Sequence, residues 1–416
     1  MHANPEGTFM NVQAGPPGGG GRFLRRGTWL CRLTAASFLL ACSGSLALAA
    51  LYNWPDVNPL VYYFIVRPAW VWFGALVPAL AVGVLGVRRR WLLLGCGLFL
   101  VCLVASEDVR QMLKPFPGAA REEFASARMG LLSYLGSEET PEERLGFPLR
   151  IISWNIAGGI SGSDNVVGQL AELRPDIVLL QECWGEPHLR EALAEREEFA
   201  GFFLDGDRNM ILSRFSVVRV VDTPLSEELG TVWKVDLTPH RSVVCINLHL
   251  SPQPLRTQLL RGWTVGGLQE AIERSRVELE NVERALDFHG REDSVVLAGD
   301  FNLPSRYAYL QRAVAGLKDC YMENGYGWGK TAPVRLPAMR VDMIFVPNQA
   351  RVYYAAAVPT SWSDHYMIIA EVVVPTRLEA VEEAGAGAAL GNASQQDEHG
   401  GSNGISVTGG SPAAAP

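Results

Sequence analysis

Six apolar runs in this sequence each carry, at one end, polar residues able to handle a metal ion, a water or a proton. These are Asn155, Gln181-Glu182, Asn247-x-His249, Asp300-x-Asn302, Asp342 and Asp364-His365. The most compact is Val-Val-Leu-Ala-Gly-Asp-Phe-Asn-Leu at 295–303. Residues two apart on an extended strand end point the same way, so Asp300 and Asn302 emerge together and can orient and deprotonate a water. Asn155 and Glu182 offer hard oxygens of the kind Mg²⁺ or Mn²⁺ takes, with water completing the shell. His249 and His365 can stabilise or protonate phosphoryl oxygens, and Asp342 can fix the tautomer of His365. A metal, an in-line water and a protonatable histidine are what phosphoester hydrolysis requires. Singly, each has an ordinary explanation: Asn155 as a turn residue before Ala157-Gly158-Gly159, His249 as a satisfied core histidine, Asp364 as a loop cap. Six such ends in one domain do not reduce to six accidents.

Strands must deliver these side chains. Apolar clustering or alternation predicts them at 149–154, 176–180, 210–212, 217–221, 232–237, 243–248, 295–298, 341–346, 352–358 and 367–374. Helical patterns fall at 164–173, 188–198, 266–289 and 306–315, the third with an Arg/Glu-rich face that reads as solvated. The Gly-x-Gly-x-Gly-Lys-Thr run at 325–331 invites a nucleotide-loop reading. A P-loop needs glycine five positions before the Gly-Lys, and that position is Asn324. The loop is instead expected to line the substrate cleft, with Trp328 and Lys330 touching a phosphate or sugar, or to be a plain hairpin tip.

The rest of the chain is organised around a membrane. Residues 1–27 form a Gly/Pro-rich tail ending in Arg22, Arg25 and Arg26, and read as disordered. Apolar stretches follow near 29–52, 68–87 and 91–106; a span takes ~20 residues. The third is short, and reads either as a span or as a re-entrant segment. Arg88–Arg90 and the basic N-terminal flank both belong in the cytoplasm by the positive-inside rule. Three spans within 28–106 then make a multi-pass protein of the cytoplasmic membrane, with its catalytic domain on the extracytoplasmic side. In a second reading the first stretch is a cleaved signal peptide, which leaves the domain on the same side. Residues 107–147 read as a mixed-charge, partly helical connector, 148–375 as the catalytic domain, and 376–416 as a disordered Ala/Gly/Ser-rich tail.

The formal charge of −8, with no run of Lys/Arg, counts against a general polyanion binder. The partners expected are the lipid bilayer and a phosphate-ester substrate. Duplex DNA is less favoured, and no specific protein partner is indicated. Seven cysteines show no metal-ligand spacing. Cys183, Cys245 and Cys320 of the domain read as free buried thiols.

The motifs together resemble the endonuclease/exonuclease/phosphatase superfamily, with its deoxyribonuclease-I-like fold. Ser-Trp-Asn at 153–155, Leu-Gln-Glu at 180–182, Leu-Ser-Arg at 212–214, Asn-Leu-His-Leu at 247–250, Gly-Asp-Phe-Asn at 299–302, Arg-Val-Asp at 340–342 and Ser-Asp-His at 363–365 occur in that family's order. The anchor ahead of them is similar to a membrane-bound bacterial branch. The resemblance implies a four-layer α/β sandwich, two mixed β-sheets flanked by helices, here preceded by an N-terminal transmembrane helical region. It implies Glu182 as the main metal ligand with Asn155 beside it, and Asp364 as a further metal-site carboxylate. Asp300 becomes the water-activating group and Asn302 a phosphate contact. His249 and His365 become the catalytic histidines, the latter set by Asp342, with Asn209 on the substrate side. The expected activity is Mg²⁺- or Mn²⁺-dependent hydrolysis of a phosphodiester or pyrophosphate bond in a lipid-linked or other extracytoplasmic compound. A membrane-tethered nuclease and a catalytically silent binding module are the competing readings.

Overall fold

The computed structural model describes residue 111 and residues 114–378, apart from 135–145, 160–161, 184–186, 253–264, 291–293, 306 and 333–338. The expected spans at 29–52, 68–87 and 91–106, the tail at 1–27 and residues 379–416 lie outside the described residues. No helix among the described residues is long and apolar enough to cross a membrane.

Two mixed sheets face each other. The first runs in the order β11 (Arg351–Val358), β12 (Met367–Val374), β1 (Phe147–Asn155), β2 (Ile177–Gln181), β4 (Met210–Ser213), β3 (Phe203–Gly206). The second runs β5 (Ser216–Arg219), β6 (Gly230–Thr238), β7 (Arg241–His249), β8 (Val295–Asp300), β10 (Asp342–Pro347), β9 (Leu317–Asp319). A short β13 (Arg377–Leu378) pairs with β7, so the first residues of the expected tail belong to the sheet. β1/β2 and β7/β8 are parallel, and the remaining ladders are antiparallel.

Alternation along these strands makes the layers. Leu149, Ile151, Leu179, Cys245, Val296, Ile344 and Ala370 point inward and fill the space between the sheets. The opposite face of the first sheet, with Ile152, Trp154 and Val178, is covered by α2 (Ser163–Leu173) and α3 (Pro187–Ala194). The opposite face of the second, with Val244, Ile246 and Leu297, is covered by α4 (Val265–His289) and α5 (Ala308–Ala313). Exposed ion pairs from Arg276 to Glu273 and Glu280 mark the solvated face of α4. The sequence reading missed β3, β9 and α6 (Cys320–Asn324), elements of three to five residues that offer too short a pattern to show a period.

The connector joins the fold. Its helix α1 (Gly118–Tyr134) packs on the first sheet and buries Phe124 completely. Arg121 grips Glu371 through Nε and Nη2 at 3.0 and 2.9 Å, and Arg128 grips Asp176 in the same way at 2.8 and 2.7 Å. Both acids are buried, and Arg150 Nη2 on β1 also reaches Glu371 at 2.8 Å. Cys183, Cys245 and Cys320 are buried, and none of the three forms a disulfide.

Candidate active site

The inward-facing rows of both sheets turn polar at one end. On β1 Leu149 and Ile151 give way to Ser153 and Asn155, and on β2 Ile177 and Leu179 give way to Gln181. On β7 Val243 and Cys245 give way to Asn247 and His249, and on β8 Ala298 gives way to Asp300. Asp342 opens β10 rather than ending it. The antiparallel register places it opposite Asp300, at the same edge.

A buried amide pair ties the sheets beneath this edge. Gln181 Nε2 donates to Asn247 Oδ1 at 2.6 Å, and Asn247 Nδ2 donates to the Leu180 and Met210 carbonyls at 2.8 and 3.1 Å. Gly299 lets β8 close on β7 just before Asp300. Its φ is +147°, and a Cβ there would lie 2.0 Å from the Leu248 carbonyl oxygen. Glu182 and Asn302 hold left-handed backbone, at φ 55° and 51°, which is uncommon for residues with a side chain and clusters at functional sites.

Asn155 joins two carboxylates. Its Nδ2 donates to Glu182 Oε1 at 3.0 Å and to Asp300 Oδ2 at 3.1 Å. Its Oδ1 accepts the Ala157 N–H at 2.9 Å, which fixes the amide's orientation. Asn155, expected as an oxygen ligand, thus has one backbone donor on its oxygen, and its amide nitrogen holds the two acids together.

Asp300 is fully buried, and Oδ1 accepts the Asn302 N–H at 2.8 Å. Desolvation pushes its pKa up; the His365 charge opposes this and the Asp342 charge adds to it. His365, also buried, meets Asp342 Oδ2 through Nδ1 at 2.8 Å and leaves Nε2 3.7 Å from Asp300 Oδ2. Asp300, Asp342 and His365 offer ligand atoms within 4.8 Å of one another, one arrangement that could hold a metal ion. His365 Nδ1 is committed to Asp342, which leaves Nε2 facing the site. On the other side of Asp300, Glu182 is half-buried and supplies a second carboxylate.

His249 Nε2 lies 3.3 Å from Glu182 Oε1, and Arg208 Nη2 approaches His249 Nδ1 at 3.5 Å. The sequence reading gave a role to Asn209 and none to its neighbour Arg208, in the turn entering β4. Asn209 is buried with its Oδ1 unpartnered. Asn302 Nδ2 donates to the Leu250 carbonyl at 2.9 Å.

Asp364, expected as a metal-site carboxylate, is exposed while its neighbour His365 is buried. Trp328 is half-buried and Lys330 buried, on the loop leading to β10.

The His249 hydrogen bond is the largest cause that holds the Glu182 carboxyl down at about 2; burial opposes it, and the Asn155 bond and the charges of His249 and His365 assist. The folded-state pKa lies below the ordinary value of 4.5, so ionised Glu182 adds stability above that pH and loses it as pH falls towards 2. Glu182→Gln removes this contribution. In urea titrations of metal-free protein, the gap between wild type and Glu182→Gln should shrink from pH 5 to pH 2.5. A constant gap would count against the pairing.

Residues 152–365 match the sequence profile of the Endonuclease/Exonuclease/phosphatase family. No curated protein matches the chain. Among solved structures, an endonuclease/exonuclease/phosphatase from Beutenbergia cavernae is 19% identical, over 55% of this chain and 72% of that one, with a TM-score of 0.40. TDP2 from C. elegans is 19% identical over 63% and 95% of the two chains, with a TM-score of 0.40. The 3′ phosphatase NExo from Neisseria, bound to product DNA hairpin, is 18% identical over 54% and 98%, at 0.38.

Proposed function

This chain belongs to the endonuclease/exonuclease/phosphatase family, and from that premise we propose a membrane-anchored phosphoesterase that cleaves a lipid-linked or other extracytoplasmic phosphate compound. As a member of the family it is a metal-dependent phosphoric ester hydrolase. The observation that carries the chemistry is the convergence of Glu182, Asp300, His249 and the His365–Asp342 pair at one sheet edge.

The donor set fits a hard divalent cation, because one Asn155 amide gathers two carboxylates. Glu182 would hold the ion with Asp300 beside it; Mg²⁺ is the first choice and Mn²⁺ the second. When bound, the ion neutralises charge on the phosphoryl oxygens. Asp300 accepts the proton of the attacking water, since burial makes its carboxylate more basic than usual. His365, oriented by Asp342, supplies the proton to the departing oxygen, and His249 stabilises charge on the phosphoryl oxygens. Asn302 and Asn209 lie on the substrate side.

Support for the membrane side comes from the apolar stretches at 29–52, 68–87 and 91–106 and from the arginines that flank them. A tether raises the enzyme's effective concentration near lipid, and the net charge of −8 disfavours duplex DNA. The test is the full chain in nanodiscs with Mg²⁺ or Mn²⁺, assayed on a polyprenyl pyrophosphate, phospholipids and plasmid DNA. Lipid-phosphate cleavage that stops with chelator is expected. Faster turnover of plasmid than of any lipid phosphate would make the protein a tethered nuclease. Absence of metal binding by calorimetry would favour the silent binding module.

A further inference from the structure

The Gly325–Thr331 run has no role in the hydrolysis described above, yet it is closely built into the site. We propose that Thr331 is the positioning residue that sets Asp342 against His365. This rests on the reading of that pair as proton-handling groups.

Thr331 is fully buried. Its Oγ1 accepts the N–H groups of Val341 and Asp342, each at 3.2 Å. Its carbonyl accepts the Tyr366 N–H at 2.8 Å, and its own N–H donates to the Met339 carbonyl at 2.8 Å. One residue thus holds the backbone at Asp342 and the backbone next to His365. That matters because the two belong to different sheets. Asp342 opens β10 of the second, His365 stands just before β12 of the first, and no ladder joins β10 to β12. No ladder sets the distance between carboxylate and imidazole, and Thr331 is bonded to the backbone on both sides of it.

The loop that carries Thr331 is itself seated. A Cβ on Gly329 would lie 2.1 Å from Cζ of the Tyr321 ring, so only glycine lets the chain pass there. Tyr321 donates its hydroxyl to the Gly327 carbonyl at 2.6 Å. Arg340 stacks over the same ring at 5.1 Å and pairs with buried Asp319 at 2.6 Å. The hydroxyl oxygen of Thr331 accepts from two backbone donors.

The test compares Thr331→Val, which keeps the shape and removes the acceptor, with Thr331→Ser, which keeps the hydroxyl. Both are made in the full chain. Two readouts are taken: turnover of bis(4-nitrophenyl) phosphate with Mg²⁺, and the downfield proton signal of the His365 Nδ1–H···Asp342 bond, assigned by its loss in His365→Ala. Thr331→Val should lower kcat about tenfold with KM within about twofold, since small misplacements of reacting groups cost this much or more. It should also move or broaden the downfield signal, and Thr331→Ser should restore both. Wild-type kcat with an unmoved signal in Thr331→Val overturns the proposal, as does an equal loss in Thr331→Ser. Should Thr331→Val fail to fold, Thr331→Cys, with its weaker sulfur acceptor, takes its place under the same criteria. If wild type turns over no probe, the hydrolase reading falls, and the proton signal alone decides the role of Thr331.

Discussion

Replacing His365 by alanine lowers kcat by about 10²–10⁴-fold, the range for loss of a positioned acid–base group, and leaves KM within a few-fold. The geometry behind this is specific. Asp342 takes the Nδ1 side of the ring at 2.8 Å, so Nε2 faces the site. Its 3.7 Å distance from Asp300 Oδ2 exceeds a hydrogen bond. An imidazole that helps only when charge develops on a departing oxygen contributes to the transition state and little to substrate binding. The variant also strips a partner from Asp342, whose Oδ1 is already buried and unpartnered, so a loss of about 1–3 kcal/mol of stability accompanies it. Steady-state kinetics below the variant's melting temperature separate the two effects. A variant that keeps more than a tenth of wild-type kcat removes His365 from the mechanism.

The second large effect lies at the other end of β1. Changing both Arg121 and Arg128 to alanine should destabilise the domain by about 3–5 kcal/mol, the cost of leaving a buried charge without its partner. Arg150 still serves Glu371, and Arg214 still lies 3.2 Å from Asp176, which holds the loss to that range. A fragment that begins at Phe147 should fare worse, because it also exposes the surface that Phe124 covers, and burying such a side chain contributes about 1.5–3 kcal/mol. Together these approach the whole stability of an ordinary domain, about 5–15 kcal/mol. The clamp sits at Arg150, five residues or about 17 Å along the strand from Asn155, so the double variant should keep its KM while its urea midpoint falls. A loss under about 1 kcal/mol would mean that α1 merely rests on the sheet.

Most of the chemistry was written in the sequence, because strand alternation is local. A run such as Val-Val-Leu-Ala-Gly-Asp-Phe-Asn declares a buried strand and its polar end without help from the rest of the chain. Six such ends in one domain implied a shared edge, and the order of the motifs named the family. The long elements were visible for the same reason: β1, β7, β12 and α4 each span enough residues to show a period.

What the tertiary structure alone decided are relations between residues far apart in the chain. Asn155 turned out to be a bridge between acids because its oxygen is captured by Ala157, a matter of atom placement that composition cannot show. Asp364 faces solvent while His365 turns inward. Arg208 meets His249 across 41 residues, and Thr331 meets Asp342 across 11, through contacts that leave no periodic trace. The connector helix is the strongest case. Its sequence reads as mixed charge, and its two arginines acquire meaning only from Glu371 and Asp176, which lie 250 and 48 residues away. A hydrophobic pattern reports which face of one element is buried; which charge meets which, and on what sheet, is fixed when the layers close.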